Sequence, residues 1–207
     1  MSYLLSLCIP TNGIIELVFP VLDSANGALK QKTQIVHFDN FSDFVGGLKI
    51  LGTWSTGMAI WKSDFDRIPA DEPYNELFPH TTVLFRERDR SYVIDNKVLL
   101  YEISVGHGKK GKYDVFYAFA MEWLLILGEM LRSKDITVQT FLKLKQETLK
   151  FCMGMAFDFL ILQRPCSYDT TTFKDCMRVF YSWSEMGWGL IKFLPWKVSR
   201  KIKALLC

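Results

Sequence analysis

The pattern of apolar and polar positions predicts an α/β chain that turns helical in its last third. Residues 3–9 (YLLSLCI) form a nearly continuous apolar run ended by Pro10, which suits a strand buried on both faces. Residues 10–13 (PTNG) read as a turn. Ile14, Leu17, Val18, Val21 and Leu22 then recur at helical spacing, with Pro20 as a kink. A strand, a small polar turn and a helix open an α/β domain. Ligands in such folds sit at the carboxyl ends of the strands, here Thr11 and Asn12. Residues 25–28 (ANGA) signal another turn, and residues 29–38 (LKQKTQIVHF) are mostly polar before a short apolar end. Residues 40–50 predict an amphipathic helix with Asn40 as N-cap and Phe41, Phe44, Val45 and Leu48 on one face.

The stretch 52–68 (GTWSTGMAIWKSDFDRI) organises the first half of the chain. It predicts a buried strand over 53–61 carrying the small trio Ser55, Thr56 and Gly57. A helix start follows, with Ser63 as N-cap and Asp64 and Asp66 in the first turn. A glycine in mid-strand marks a place where another backbone or a ligand comes close, although tight core packing explains it as well. Asp64-Phe65-Asp66 is the only formal Asp-x-Asp, and acids at a helix start favour the helix dipole, so capping is the simpler reading than metal binding. Residues 75–80 (NELFPH) read as a turn or short helix running into 81–85. Residues 86–90 (RERDR) read as a solvated helix end. Strands at 92–95 and 98–105 flank Asp95-Asn96 as in a hairpin.

Residues 106–112 (GHGKKGK) satisfy part of a phosphate-binding loop. Tyr113 stands where the magnesium-binding Ser or Thr belongs, and no later strand ends in the second Asp ligand, so a basic loop is the plainer reading. Contact with a phosphorylated lipid-linked acceptor is the reading between those two. Residues 113–132 predict a buried helix, because Glu122 and Glu129 interrupt the apolar run that a membrane span needs. Helical spacing continues over 136–162, stops at Pro165, and resumes over 171–186 with Phe173, Cys176, Met177 and Phe180. The tail 188–206 mixes Trp188, Trp196, Lys192, Lys197, Arg200, Lys201 and Lys203 with Leu, Ile and Phe. That composition suits a helix on an anionic membrane surface, or one packed on the domain with its basic residues outward. A boundary near 133–135 gives a first domain of 1–134 and a helical region of 135–207.

Composition changes this picture little. The chain has 207 residues, enough for one well-packed domain and a smaller appendage, and 49% of them are hydrophobic, which argues against disorder. A net charge of +3 does not by itself suggest nucleic acid as a partner. The 5 cysteines are scattered without a Cys-x-x-Cys pair, the pattern of a reduced, cytoplasmic protein. His37, His80 and His107 lie apart from one another and from the cysteines, so no zinc site is expected. The first residues lack the basic start, apolar core and small-residue cleavage site of a signal peptide.

SLCIPT at 6–11, followed by a helical pattern ending in Leu22-Asp23-Ser24, resembles the start of the family 2 glycosyltransferases, whose nucleotide-sugar domain is of the GT-A type. The amphipathic segment 40–50, the Gly-x-x-Ser-Thr-Gly of 52–57 and the charged helix start after it resemble the acceptor half of the abequosyltransferase-like members, which build O-antigen and other surface polysaccharides. The resemblance runs on through the hairpin pattern at 92–105. It implies an α/β fold, a truncated GT-A-like (Rossmann-like) sheet with a helical C-terminal region. It also implies transfer of a sugar from a nucleotide-sugar donor to a polysaccharide or lipid-linked acceptor, a hexosyltransferase-type reaction. Thr11 and Asn12 would then face the donor nucleotide, and Ser55, Thr56 and Gly57 the acceptor. His80, or Glu76 before it, stands where the family carries its base.

The sequence departs from the family at two places. Asn12 follows Thr11 directly, where an aromatic residue usually intervenes. The block expected after Ser24, including the Asp-x-Asp that holds manganese or magnesium on the diphosphate, is missing, so the metal's ligands are not found. The alternative from a different class is therefore a non-catalytic remnant that serves as an interaction or membrane-surface module. The expected location is cytoplasmic, with peripheral contact at the inner face of the membrane.

Overall fold

The structure, a computed structural model, describes residues 15–18, 35–53, 62–71, 73–86, 88, 92–95 and 113–190. The chain is mixed α/β with mostly helical content, and it divides into two compact units, Met1–Glu102 and Ile103–Cys207.

The first unit is built on three short strands, β1 (Ile15–Val18), β2 (Ile35–Phe38) and β3 (Tyr92–Asp95), in the order β1-β3-β2. β3 is central, parallel to β1 with Ile15 opposite Tyr92, and antiparallel to β2 with Phe38 opposite Tyr92. β1 corrects the helix predicted from Ile14 onward. Ile15 and Val18 are β-branched, and a pairing partner more than 70 positions away satisfies this backbone, which local spacing cannot reveal. The strand predicted over 3–9 and the one over 98–105 lie outside the described residues.

Helix α1 (Phe41–Leu48) forms as its pattern predicts. Asn40 accepts the Asp43 N–H at 2.9 Å, a cap that stabilises the helix by about 1 kcal/mol. Phe41, Phe44, Val45 and Leu48 all point inward. Phe44 stacks on Tyr92 of β3 with ring centroids 4.3 Å apart, and Phe41 meets Phe85 edge-on at 5.5 Å. Gly47 is needed for this packing, because a Cβ there would come within 2.6 Å of the Phe38 ring. The helix closes at Lys49, held at φ 56°, and the chain tightens into a 3-10 turn over Lys49–Thr53.

That turn corrects the strand predicted from Thr53, because Thr53 donates its hydroxyl to the Ile50 carbonyl at 2.7 Å and ends the turn. Residues 54–61 lie outside the described residues. Ser63 is not an N-cap: it sits inside the single-turn helix α2 (Lys62–Phe65), which Lys62 ties to Asp66 across one turn. Helix α3 (Pro79–Leu84) follows, with Pro79 in the first turn, where its missing N–H costs nothing. Beyond its end Arg88 lies over the Phe41 ring at 5.8 Å and donates to the Phe85 carbonyl.

The described residues of the second unit are mostly helical, with one isolated β-bridge between Asp114 and Asp169. A helical run from Val115 carries a π segment (Tyr117–Glu122) and continues as α4 (Trp123–Arg132). Trp123, Leu124, Leu127 and Met130 are buried. Glu122 accepts from the Tyr117 hydroxyl at 2.7 Å, and Glu129 pairs with Arg132, so both carboxylates of the apolar run are accounted for outside the core. The turn at 133–135, where the sequence places its domain boundary, joins two packed helices. Lys134 takes φ 64°, and the Asp135 N–H reaches back to the Met130 carbonyl at 2.9 Å, which closes α4. Thr137 caps α5 (Val138–Ala156), which runs on as a second π segment (Phe157–Ile161) before Gln163 turns the chain at φ 50°.

The helix predicted over 171–186 is split in two. α6 (Phe173–Phe180) ends where Tyr181 becomes extended, and residues 183–190 are helical again. The Tyr181 hydroxyl donates to the Lys145 carbonyl at 2.7 Å, which holds the ring against α5. Ser182 and Glu185 then cap each other's backbone N–H reciprocally. Among the described residues no helix is long and apolar enough to cross a membrane.

Candidate active site

Two sequence-predicted site residues fall in the described structure, Glu76 in the segment that leads into α3 and His80 in its first turn. Asn75 shapes this segment: its side-chain oxygen accepts the Leu77 and Phe78 N–H groups at 3.0 and 2.9 Å. Its own N–H donates to the Thr82 hydroxyl at 3.2 Å. Such an Asn turn pre-forms the approach to a helix, and Pro79 then fixes the first helical φ. Glu76 is exposed in this turn, outside α3, so it does not share a helical turn with His80.

His80 is half-buried, and its Nε2 lies 2.7 Å from the Thr53 carbonyl oxygen. A carbonyl only accepts, so Nε2 carries the proton in this contact, and Nδ1 is the basic nitrogen of the neutral ring. Burial lowers the His80 pKa from its ordinary value. The hydrogen bond to Thr53 pulls the other way and is the smaller effect. The ring is therefore held neutral near pH 7, the form a general base requires.

Thr81, fully buried beside it, donates its hydroxyl to the Gly52 carbonyl at 2.7 Å. Two consecutive residues of α3 thus give hydrogen-bond partners to the last two carbonyls of the 3-10 turn, those of the buried Gly52 and Thr53. The consequence is positional. The candidate base is fixed against Thr53, two residues before the trio that opens with Ser55. Ser55, Thr56, Gly57, Thr11 and Asn12 themselves lie outside the described residues, as do the lysines of 106–112.

The sequence reading missed Thr81 and Asn75. Asn75 had a visible signal, an Asn three residues before Phe78-Pro79. Thr81 had none, because its partner is 29 positions away.

The described residues do not offer a site for the manganese or magnesium implied by the family resemblance. Both Asp66 carboxylate oxygens lie 2.7 Å from the Lys62 ammonium, and among the described residues no group of three His, Cys, Asp or Glu could hold a metal ion.

In the second unit, Asp114 accepts the Phe116 and Tyr117 N–H groups, each at 2.9 Å, and so caps the helical run. Its other oxygen takes the Thr172 hydroxyl, and the Cys176 thiol donates to Thr172 at 3.2 Å. This chain ties α6 to the start of the run. It does not make a nucleophile, since burial raises the Cys176 pKa. Burial likewise pushes up the Cys152 thiol and the Tyr181 phenol, so both stay protonated.

No family model matches this chain, and neither a curated protein nor a solved structure matches it.

Proposed function

We propose that the chain is a glycosyltransferase-like protein that moves a sugar from a nucleotide-sugar donor to a polysaccharide or lipid-linked acceptor in surface-polysaccharide (O-antigen) synthesis. The observation that carries this reading is the 2.7 Å contact between His80 and Thr53. It brings a neutral imidazole to the backbone that leads into Ser55-Thr56-Gly57, the stretch that resembles the family's acceptor side. In the reaction an acceptor hydroxyl attacks the anomeric carbon, the bond to the nucleoside diphosphate breaks, and the hydroxyl proton passes to His80 Nδ1. Thr11 and Asn12 are the donor-side residues, Ser55, Thr56 and Gly57 the acceptor-side residues, and Glu76 the second candidate base. The leaving diphosphate needs its charge neutralised, and Lys109, Lys110 and Lys112 are the basic residues offered by the sequence. The matching fold is a GT-A-like sheet that lacks an internal block of its donor half, in a cytoplasmic protein.

A second reading is favoured by one specific observation. In the only Asp-x-Asp of the chain, Asp66, just past the end of α2, is bonded to Lys62, and this suits a non-catalytic remnant without metal-dependent donor binding. Calorimetric titration with UDP-, GDP-, CDP- and dTDP-sugars, with and without manganese, separates the two. Saturable heat with one donor supports transfer. A folded sample that gives no heat with any of them leaves the remnant.

A further inference from the structure

We propose that Tyr113 and Tyr168 form an oxidative cross-linking site, a phenol pair that a peroxide-driven one-electron oxidant of the haem-peroxidase type couples into dityrosine. This inference stands on the second unit alone and does not rest on the sugar-transfer reading. Asp114 and Asp169 pair as an isolated parallel bridge. The Asp169 N–H donates to the Tyr113 carbonyl at 3.2 Å, and the Val115 N–H to the Asp169 carbonyl at 3.1 Å. Tyr113 and Tyr168 each precede one bridge partner, so the parallel register sets them side by side. Their ring centroids are 5.2 Å apart at 57°, and the Tyr113 hydroxyl is hydrogen-bonded to Tyr168. The backbone on both sides is tied down. Asp114 caps the helical run, Asp169 accepts the Thr171 N–H and hydroxyl at 2.9 and 2.8 Å, and the Tyr168 ring rests against Phe159 at 6.4 Å.

Coupling joins the carbons ortho to the two hydroxyls, so a pair that meets through its hydroxyls has its reacting carbons close together. Tyr113 is 39% exposed and Tyr168 partly so, which lets an oxidant in solution reach the pair. Burial, and the Tyr168 phenol beside it, push the Tyr113 pKa up to about 12, so this phenol is neutral at pH 7 and gives up its proton with its electron. Each ring loses one electron and one proton and becomes a phenoxyl radical. The two radicals pair as a carbon–carbon bond, and each ortho hydrogen shifts to its own oxygen, restoring the phenols. One hydrogen peroxide takes up the two electrons and two protons and becomes two waters. Exposure alone does not select this pair, since Tyr74 at 66% and Tyr117 at 42% are more accessible. Cys166, exposed two residues before Tyr168, is a competing electron donor. The cross-link would tie the start of the helical run to the segment before α6, closing the stretch that holds α4 and α5.

The test treats the full chain with a haem peroxidase and one equivalent of hydrogen peroxide, then reads dityrosine fluorescence and mass under reducing conditions. The expected product is a monomer lighter by two hydrogens, with one linked peptide that contains Tyr113 and Tyr168. Its melting temperature should rise by about 5 °C or more, because the cross-link restricts the unfolded chain as a disulfide does. Tyr113→Phe and Tyr168→Phe keep both rings and should each lose the fluorescence and the mass change of the monomer. Tyr74→Phe should keep them. Cross-linked dimers in place of the monomer product overturn the proposal. So do dityrosine that survives Tyr168→Phe, and oxidation of Cys166 with no cross-link.

Discussion

Replacing His80 with Gln tests whether the imidazole is held neutral against Thr53. Glutamine keeps a side-chain N–H donor for the carbonyl but cannot titrate, so the substitution separates the hydrogen bond from the proton. In the folded chain burial lowers the His80 pKa below its ordinary value. Between the two pKa values the unfolded chain binds more protons, so stability is full above the unfolded value and falls as pH drops through the folded one. One proton sets a ceiling of about 1.4 kcal/mol per pH unit on this effect, and solvent screening of the half-buried ring keeps the actual slope well below it. Urea unfolding followed by circular dichroism from pH 8 to pH 5 should therefore show a steeper acid-side loss in the wild type than in His80→Gln, with the two closest at pH 8. Losing a well-aligned bond should cost His80→Ala about 0.5–1.5 kcal/mol at pH 8. Superimposable slopes for wild type and His80→Gln would refute the claim that the fold disfavours the charged ring. A steeper slope in the variant would reverse its sign.

Two further substitutions examine the supports on either side. Thr81→Val keeps the shape of a fully buried residue but strands the Gly52 carbonyl, and should cost about 1–3 kcal/mol in the same unfolding measurement. If the contact with α3 positions the base, it should also lower turnover more than donor affinity once a donor is identified. Ser182→Ala removes the hydroxyl that accepts the Glu185 N–H, leaving the Ser182 N–H bond to Glu185 in place, and should cost about 0.5–2 kcal/mol, read as a lower melting temperature with little loss of far-ultraviolet signal.

How much of this was legible in the sequence depended on how local the deciding interaction was. α1 could be read because everything that forms it lies within 40–48: the Asn40 cap and four large apolar residues on one face. α4 and α5 were readable for the same reason, and the two acids that argued against a membrane span do have polar partners. β1 could not be read. Four residues spaced as Ile14, Leu17, Val18 and Val21 satisfy a helical face, and the strand becomes evident only when β3 supplies its ladder. The end of α6 lies between these cases. The Ser182-x-x-Glu185 signature was present in the sequence, but Cys176, Met177 and Phe180 set a period that invites the helix to continue through it.

The site divides along the same line, and that bears on what its residues can do. His80 was visible as a chemical type, yet its chemistry is set by Thr53, 27 positions earlier, which decides the tautomer and pulls the ring into a half-buried position. Glu76, four residues before His80, was the alternative base, one helical turn earlier. The Asn75 turn and Pro79 start the helix between them, so the four-residue spacing does not mean one shared face. A carboxylate left exposed in a turn and an imidazole fixed against a backbone carbonyl are not interchangeable bases. The fixed one spends no ordering entropy when an acceptor arrives, and burial already favours its unprotonated form. If either side chain takes the acceptor proton, the geometry of the turn selects His80.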